Sequence, residues 1–333
     1  MAKPFEDLLE LMDFNGLLRA VDGLCAQRDW EGLLDLANRC EEAIERGKQL
    51  WPIAAHIDYR LALEAPGEYA AEALTPETDR FAHGPLTEVA ASTHAFEELA
   101  PYVEFPQVAA YLAQERVLRG EDLTGDERAH PEVLELPLRL EDFEPAYPLA
   151  TFKATYVEVA EPWDLQGQPQ IRFPKPAAAV PDDEAEDALL SLVTPWTAES
   201  NGAARAVVVD GDALGAASHL TYGTLRVWTL TPDLALQKMA WAAASGGAHG
   251  RRRGAAFGRF LAWHTASLLA GLEWPPAAAE LGRALRELRW FWWDEGEPEE
   301  GWVLRLAVED PQAGWAAAVA ATDIKEEAPA PGG

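Results

Sequence analysis

Glycines at positions 246, 250, 254 and 258 fall four residues apart, and the spacing continues through Ala262, Ala266 and Ala270, with Ala242 ahead of them in the same register. The surrounding run, Met239 to Leu272, therefore has two physical readings. On one unbroken helix it makes a ridge nearly free of side chains, drifting by about 40° per step and open to close approach by another backbone. Each interior glycine then costs roughly 1 kcal/mol against alanine, which tight packing must offset. In the other reading the adjacent Gly246 and Gly247 punctuate the chain. An apolar helix ends near Ala244, a Gly-rich loop carries His249, Arg251, Arg252 and Arg253, and a second helix starts near Gly254. We favour the broken form.

A broken form has a chemical consequence. Loop amides at a helix start, together with guanidinium groups, suit an anion. His249, Arg251, Arg252, Arg253 and Arg259 are thus the candidate phosphate or ligand set. The simpler account is that these arginines pair with carboxylates of the same chain.

Charge supports caution about nucleic acid. Residues 1–130 carry 11 Lys and Arg against 26 Asp and Glu, and residues 201–333 carry 12 against 16, within a chain of net charge −29. Such acidity repels a phosphate backbone at long range and suits a basic protein partner. Nucleic acid is not expected as a partner, a protein is, and a small phosphate compound remains open. No apolar run reaches membrane-spanning length. The start, MAKPFEDLLELMDF, is acidic and amphipathic, unlike a signal peptide. Cys25 and Cys40 are too few for a disulfide framework and fit a reducing, cytoplasmic setting.

Apolar spacing predicts helices over 4–22, from Asp29 as a cap through Ile44, and after Pro52, with shorter ones to Leu118. No clean repeat period emerges, so residues 1–130 read as a helical-repeat-like array. Residues 131–185 form a connector with short strands at 150–159 and 170–173. Residues 186–324 read as a Trp-rich α+β domain, since ten of the thirteen Trp fall from Trp196 onward. There, strands are expected at 204–209, 224–230 and 302–308. Helices are expected at 185–193, 277 to about 290, and from Pro311 through Ala321. Residues 325–333 read as a disordered tail by composition. The fold class is mainly α with α+β: a helical array followed by a domain with a small sheet.

Candidate chemistry is sparse. Asp210 and Asp212 close a Val-rich strand and are the candidate metal pair, although Asp-Gly is equally a turn signal. Asp323 is a further acid without a visible partner. His83 and His94, eleven apart, are poorly spaced for a metal on one helix. His264 suits a buried, hydrogen-bonded role. The run Trp290, Phe291, Trp292, Trp293 reads as core or protein contact, because Asp294, Glu295, Glu297, Glu299 and Glu300 beside it would repel phosphate. A strained Gly-x-Ser-x-Gly elbow, a P-loop, a dinucleotide fingerprint and zinc spacing are all missing. No cofactor is expected, and the reading leans away from an enzyme.

Glu199-Ser200-Asn201-Gly202, Ser245-Gly246-Gly247-Ala248, the GAAFGR run Gly254–Arg259 and Ala321-Thr322-Asp323 together resemble an uncharacterised actinobacterial family of unknown function, over roughly residues 190–323. The resemblance implies a helical N-terminal region before this C-terminal domain and no activity to transfer. The leading expectation is a non-enzymatic adaptor or scaffold with an acidic helical surface. The alternatives are a nucleotide- or phosphate-binding sensor or enzyme using 246–259, and an acidic inhibitor or immunity protein.

Overall fold

The computed structural model describes residues 5–76, 84–160, 165, 167–296 and 301–325; His83, Glu297, Glu299, Glu300 and most of the tail lie outside them. Contacts divide the chain into two units. One comprises residues through Arg139 with Leu149–Val159. The other comprises Leu140–Pro148 with residues from Ala160 onward.

The first unit is built of α1 (Glu6–Leu11), α2 (Phe14–Gln27), α3 (Trp30–Glu45), α4 (Trp51–Glu64), α5 (Gly67–Ala70), α6 (Leu86–Ala91), α7 (Phe96–Leu99), α8 (Pro106–Leu118) and α9 (Pro131–Leu134). Asp13 caps α2 by accepting from Gly16 N at 2.9 Å, and Asp29 caps α3 by accepting from Gly32 N at 3.0 Å. Each cap satisfies one of the orphan amides of a helix start. In both turns the preceding residue, Met12 or Arg28, has positive φ. A side chain on Gly16 or Gly32 would collide with the capping carboxylate. The two turns share the string Asp-aromatic-x-Gly-Leu-Leu, at Asp13–Leu18 and Asp29–Leu34. This local twin escapes a search for a longer period. Helix α4 is buried almost all round, with Ile53, Ile57, Tyr59, Leu61 and Leu63 in the core, and α2, α3 and α6 pack on it.

The segment expected as one strand at 150–159 is a hairpin: β1 (Ala150–Phe152) and β2 (Val157–Val159) pair antiparallel around a turn closed by Lys153 N donating to Tyr156 O.

The second unit carries β3 (Gln170–Arg172), β4 (Ala178–Ala179), α10 (Asp183–Ser191), α11 (Thr194–Ala198), β5 (Ala203–Asp210), α12 (Ala213–Ala217), β6 (Leu225–Leu230), α13 (Pro232–Ala244), α14 (Ala255–Leu269), α15 (Ala278–Glu287), β7 (Arg289–Asp294), β8 (Trp302–Asp310) and β9 (Trp315–Asp323). Its sheet runs β3-β6-β7-β8-β9-β5-β4, every neighbouring pair antiparallel. Helix α12 lies on one face. Helix α13 lies on the other, where Lys238 Nζ sits 4.2 Å from the centre of the Trp292 ring.

Two expectations need correction here. The helix predicted from Ala277 stops at Glu287, and Arg289–Asp294 is a strand. The Ala-rich segment predicted as a helix from Pro311 is β9. Local propensity favours a helix for Trp-Ala-Ala-Ala-Val-Ala-Ala, but β9 lies between β8 and β5 and is buried on both faces. Its small side chains admit the layers above and below, so tertiary packing overrides propensity. In β7 a continuous apolar run marks a strand covered on both sides.

Candidate functional site

The Gly/Arg segment is a loop. Helix α13 ends at Ala244, and α14 starts at Ala255 behind Gly254, whose φ is +92°. Arg253 N donates to Ala244 O at 2.8 Å and closes the loop at its base. Between these points the amides turn inward. Ala248 N donates to Asp323 Oδ2 at 2.6 Å, His249 N to Ser200 Oγ at 3.2 Å, and Arg251 N to Glu199 Oε2 at 3.2 Å. Ser200 Oγ in turn donates to Asp323 Oδ1 at 3.1 Å, and Arg253 forms an ion pair with Glu199.

The glycines make this possible. Gly247 has φ +69°, and a Cβ there would strike the Asp323 carboxylate. A Cβ on Gly246 would strike the backbone of Gly250 and Arg251, and one on Gly250 the carbonyl of Gly246. Three strings far apart in sequence, Glu199–Gly202, Ser245–Ala248 and Ala321–Asp323, thus meet at one buried carboxylate, since Asp323 is closed to solvent. The anion facing these loop amides belongs to the chain itself, at the end of β9. Asp323, which shows no partner in the sequence, finds all of its partners through the fold.

The five candidate residues separate. His249 and Arg251 are exposed, Arg252 is half-buried, and Arg253 pairs with Glu199. Arg259, on the second turn of α14, points elsewhere. It donates through Nε to Glu144 Oε2 at 2.8 Å and through Nη2 to Glu144 Oε1 at 2.6 Å. Tyr147 Oη and Trp263 Nε1 also donate to Glu144 Oε2, at 2.7 and 2.9 Å, and Glu141 N donates to Oε1 at 3.0 Å. Burial pushes the Glu144 carboxyl up, but the Arg259 charge and these donors outweigh it and hold the group below the usual carboxylate range. Burial and the neighbouring carboxylate push the Tyr147 phenol well up. Sequence reasoning missed Glu144 and Tyr147, because nothing local marks the 140–148 segment as a partner of α14.

Helices α13 and α14 meet closely beside this network. A Cβ on Gly258 would run into the carbonyl of Ala240 and the methyl of Ala244. The small-residue spacing therefore serves close backbone approach even though the helix is broken.

Asp212 caps α12, accepting from Gly215 N at 2.7 Å. Asp210 lines a cleft of about 580 Å³ together with Asp182, Glu287, Asp310 and Trp315. Among the described residues no three His, Cys, Asp or Glu side chains gather to hold a metal. Trp290, Trp292 and Trp293 are buried in the sheet core. His264 is half-buried against Phe260 and Trp274, with ring centroids 6.0 and 5.3 Å away. No helix among the described residues is long and apolar enough to cross a membrane.

One family model, described as a family of unknown function (DUF6183), matches residues 15–325. The match therefore takes in the helical unit as well as the sheet. No curated protein and no solved structure matches the chain.

Proposed function

We propose, from the premise that this chain belongs to DUF6183, a family of unknown function, that it works by docking another protein on its N-terminal helical unit. The observation that carries this is an exposed apolar corner where α1 meets α2. Leu11 is 77% exposed, and Met12, Phe14 and Leu18 are also open to solvent. Phe14 and Leu18 lie four apart on α2 and so share a face. Lys48 Nζ donates to Glu10 O at 2.7 Å, which ties the end of α1 to the loop leading into α4, where Trp51 is exposed.

Apolar side chains this open, grouped within eight residues, mark an interaction surface more than a lone exposed leucine does. Glu6, Asp7, Glu10 and Asp13 surround the corner and are exposed. The complementary partner is a basic amphipathic helix. Its apolar stripe would cover Leu11, Phe14 and Leu18, and its lysines or arginines would face the acids. The inward turn of the Ala248, His249 and Arg251 amides supports protein binding over phosphate chemistry, because those three donors already have acceptors.

The test uses the full chain and a 20-residue Lys/Leu amphipathic helical peptide, with a scrambled peptide of identical composition as control. Saturable binding of the helical peptide, weakened at least tenfold by Leu11→Glu with Leu18→Glu, and reduced by salt, is expected. Equal binding of the scrambled peptide, or unchanged binding by the doubly substituted chain, would remove the basis for the proposal.

A further inference from the structure

A second feature, independent of that docking surface, lies wholly inside the sheet unit. Arg205 of β5, Ala320 of β9 and Arg305 of β8 are paired in one row across three neighbouring strands. Paired residues of antiparallel strands project from the same face, so both arginines rise on one side with only the Ala320 methyl between them. Glu309, four residues along β8 from Arg305, accepts from Ala213 N of α12 at 2.9 Å, which identifies that side as the α12 face. Two strand spacings set the arginine Cα atoms about 10 Å apart. The next row on this face holds Ala203 and Thr322. Together these side chains floor a cavity of about 180 Å³ that Leu220, Trp293 and Glu295 also line. Arg305 Cζ lies 5.5 Å from the centre of the Trp293 ring, and Arg205 Nη2 donates to the carbonyl of His219, next to Leu220, at 3.3 Å. Each guanidinium is thus held at a wall of the same cavity.

These donors have capacity to spare. On a chain with 27 Lys and Arg against 56 Asp and Glu, Arg60, Arg116, Arg226, Arg253, Arg259 and Arg289 all end on carboxylates. Arg205 and Arg305 form no ion pair among the described residues, and the Thr322 hydroxyl has no hydrogen-bond partner there. Glu295 accepts instead from Thr221 Oγ1, Tyr222 N and Gly223 N. Arg205 is exposed, and Arg305 and Thr322 are half-buried, so a solute reaches all three from solvent.

The charge balance narrows the ligand. Two arginines and one glutamate give the lining a net charge of +1, which matches a monoanion. A dianion would meet the repulsion of a chain of net charge −29 with too little local compensation. Arginine forks fit the two oxygens of a carboxylate. A cavity of about 150 Å³ accepts a benzene ring, so the space here suits a carbon skeleton of about one ring. We propose that this cavity binds a small monocarboxylic acid, with Arg205 and Arg305 on its carboxylate, Thr322 Oγ1 donating to one oxygen, and its apolar remainder against Leu220 and the alanine floor.

The experiment is fluorine NMR on the full-length protein with 4-fluorobenzoate and its near-isosteric neutral amide, 4-fluorobenzamide. Saturable binding of 4-fluorobenzoate, at least tenfold tighter than the amide, is expected. Arg205→Gln and Arg305→Gln should each weaken it at least fivefold. Arg286→Gln, which removes an exposed arginine of α15 outside the cavity, should leave it unchanged, and inorganic phosphate should compete less well than unlabelled benzoate. Circular dichroism confirms that each variant is folded, and Arg305→Lys, which keeps the charge but loses the fork, replaces Arg305→Gln if that variant is not. No saturable binding of 4-fluorobenzoate, equal binding of the amide, full binding by folded Arg205→Gln, an equal loss in Arg286→Gln, or phosphate competing as well as benzoate would each overturn the assignment. None of these outcomes touches the α1–α2 corner, so the two proposals fail separately.

Discussion

Arg259 and Glu144, 115 positions apart, meet in a two-pronged ion pair with both side chains closed to solvent. Removing one member strands the other. Glu144→Gln or Arg259→Met alone should cost about 3–5 kcal/mol, whereas Glu144→Leu combined with Arg259→Met should recover only the part due to a stranded charge, because Tyr147, Trp263 and Glu141 N lose their acceptor. Urea denaturation of the three variants measures it. Because the folded-state value of Glu144 lies below its ordinary one, its contribution is present above the ordinary carboxylate range. It is lost as pH falls through the folded value. The wild type should therefore lose stability on acidification more steeply than the apolar double variant.

The α13–α14 contact leaves no room at Gly258. Alanine there would gain helix propensity of roughly 1 kcal/mol but meets the Ala240 carbonyl. Gly258→Ala should be net destabilising, by about 1–3 kcal/mol, and Gly258→Val more so. Thermal unfolding reads both, and a stabilised Gly258→Ala would contradict the close approach.

Asp323 holds the loop after α13. Asp323→Ala leaves Ala248 N–H and Ser200 without their acceptor and should cost about 1–3 kcal/mol. Hydrogen exchange should quicken at Ala248, His249 and Arg251 while the middle of α13 stays protected. Uniform quickening across both helices would instead mean that the carboxylate supports the whole unit.

In the first unit, burial, with a smaller push from Glu41, raises the Asp58 carboxyl to about 7. A raised carboxylate binds a proton more tightly when folded. Its stabilising effect is full below the unfolded value near 4 and fades as pH climbs to about 7. Asp58→Asn should flatten the pH dependence of the unfolding midpoint between pH 4 and 7 and stabilise the chain at pH 8. An unchanged profile would show that Asp58 does not titrate in this window.

Burial pushes the Cys25 thiol up to about 11 and the Cys40 thiol up to about 12. Nucleophilic thiolate is then scarce at neutral pH. Iodoacetamide at pH 8 should leave both unmodified in the native chain and label both in urea, as mass spectrometry would show.

Much of the helical unit is legible in the primary chain, because caps and spacing are local: Asp29 acts within three residues of its helix, whereas the single helix expected over 4–22 breaks at Met12, and Asp13 caps a new helix there. The break at Gly246-Gly247 is legible for the same reason. The converging strings Glu199–Gly202, Ser245–Ala248 and Ala321–Asp323 stand out as motifs, yet no spacing along the chain says that one carboxylate joins them. Arg259 illustrates the opposite case. By sequence it belongs with the neighbouring arginines, but the turn of α14 carries it away to Glu144.

What the amino-acid order determined by itself was that the first unit is helical and that Gly246-Gly247 interrupts the chain between two helices, because those choices rest on side chains within a turn or two of each other. Only the tertiary structure decided that Trp315–Asp323 extends as a central strand, and that the loop amides face Asp323. Both depend on partners from distant parts of the chain, where burial between layers outweighs the intrinsic preference of alanine for a helix.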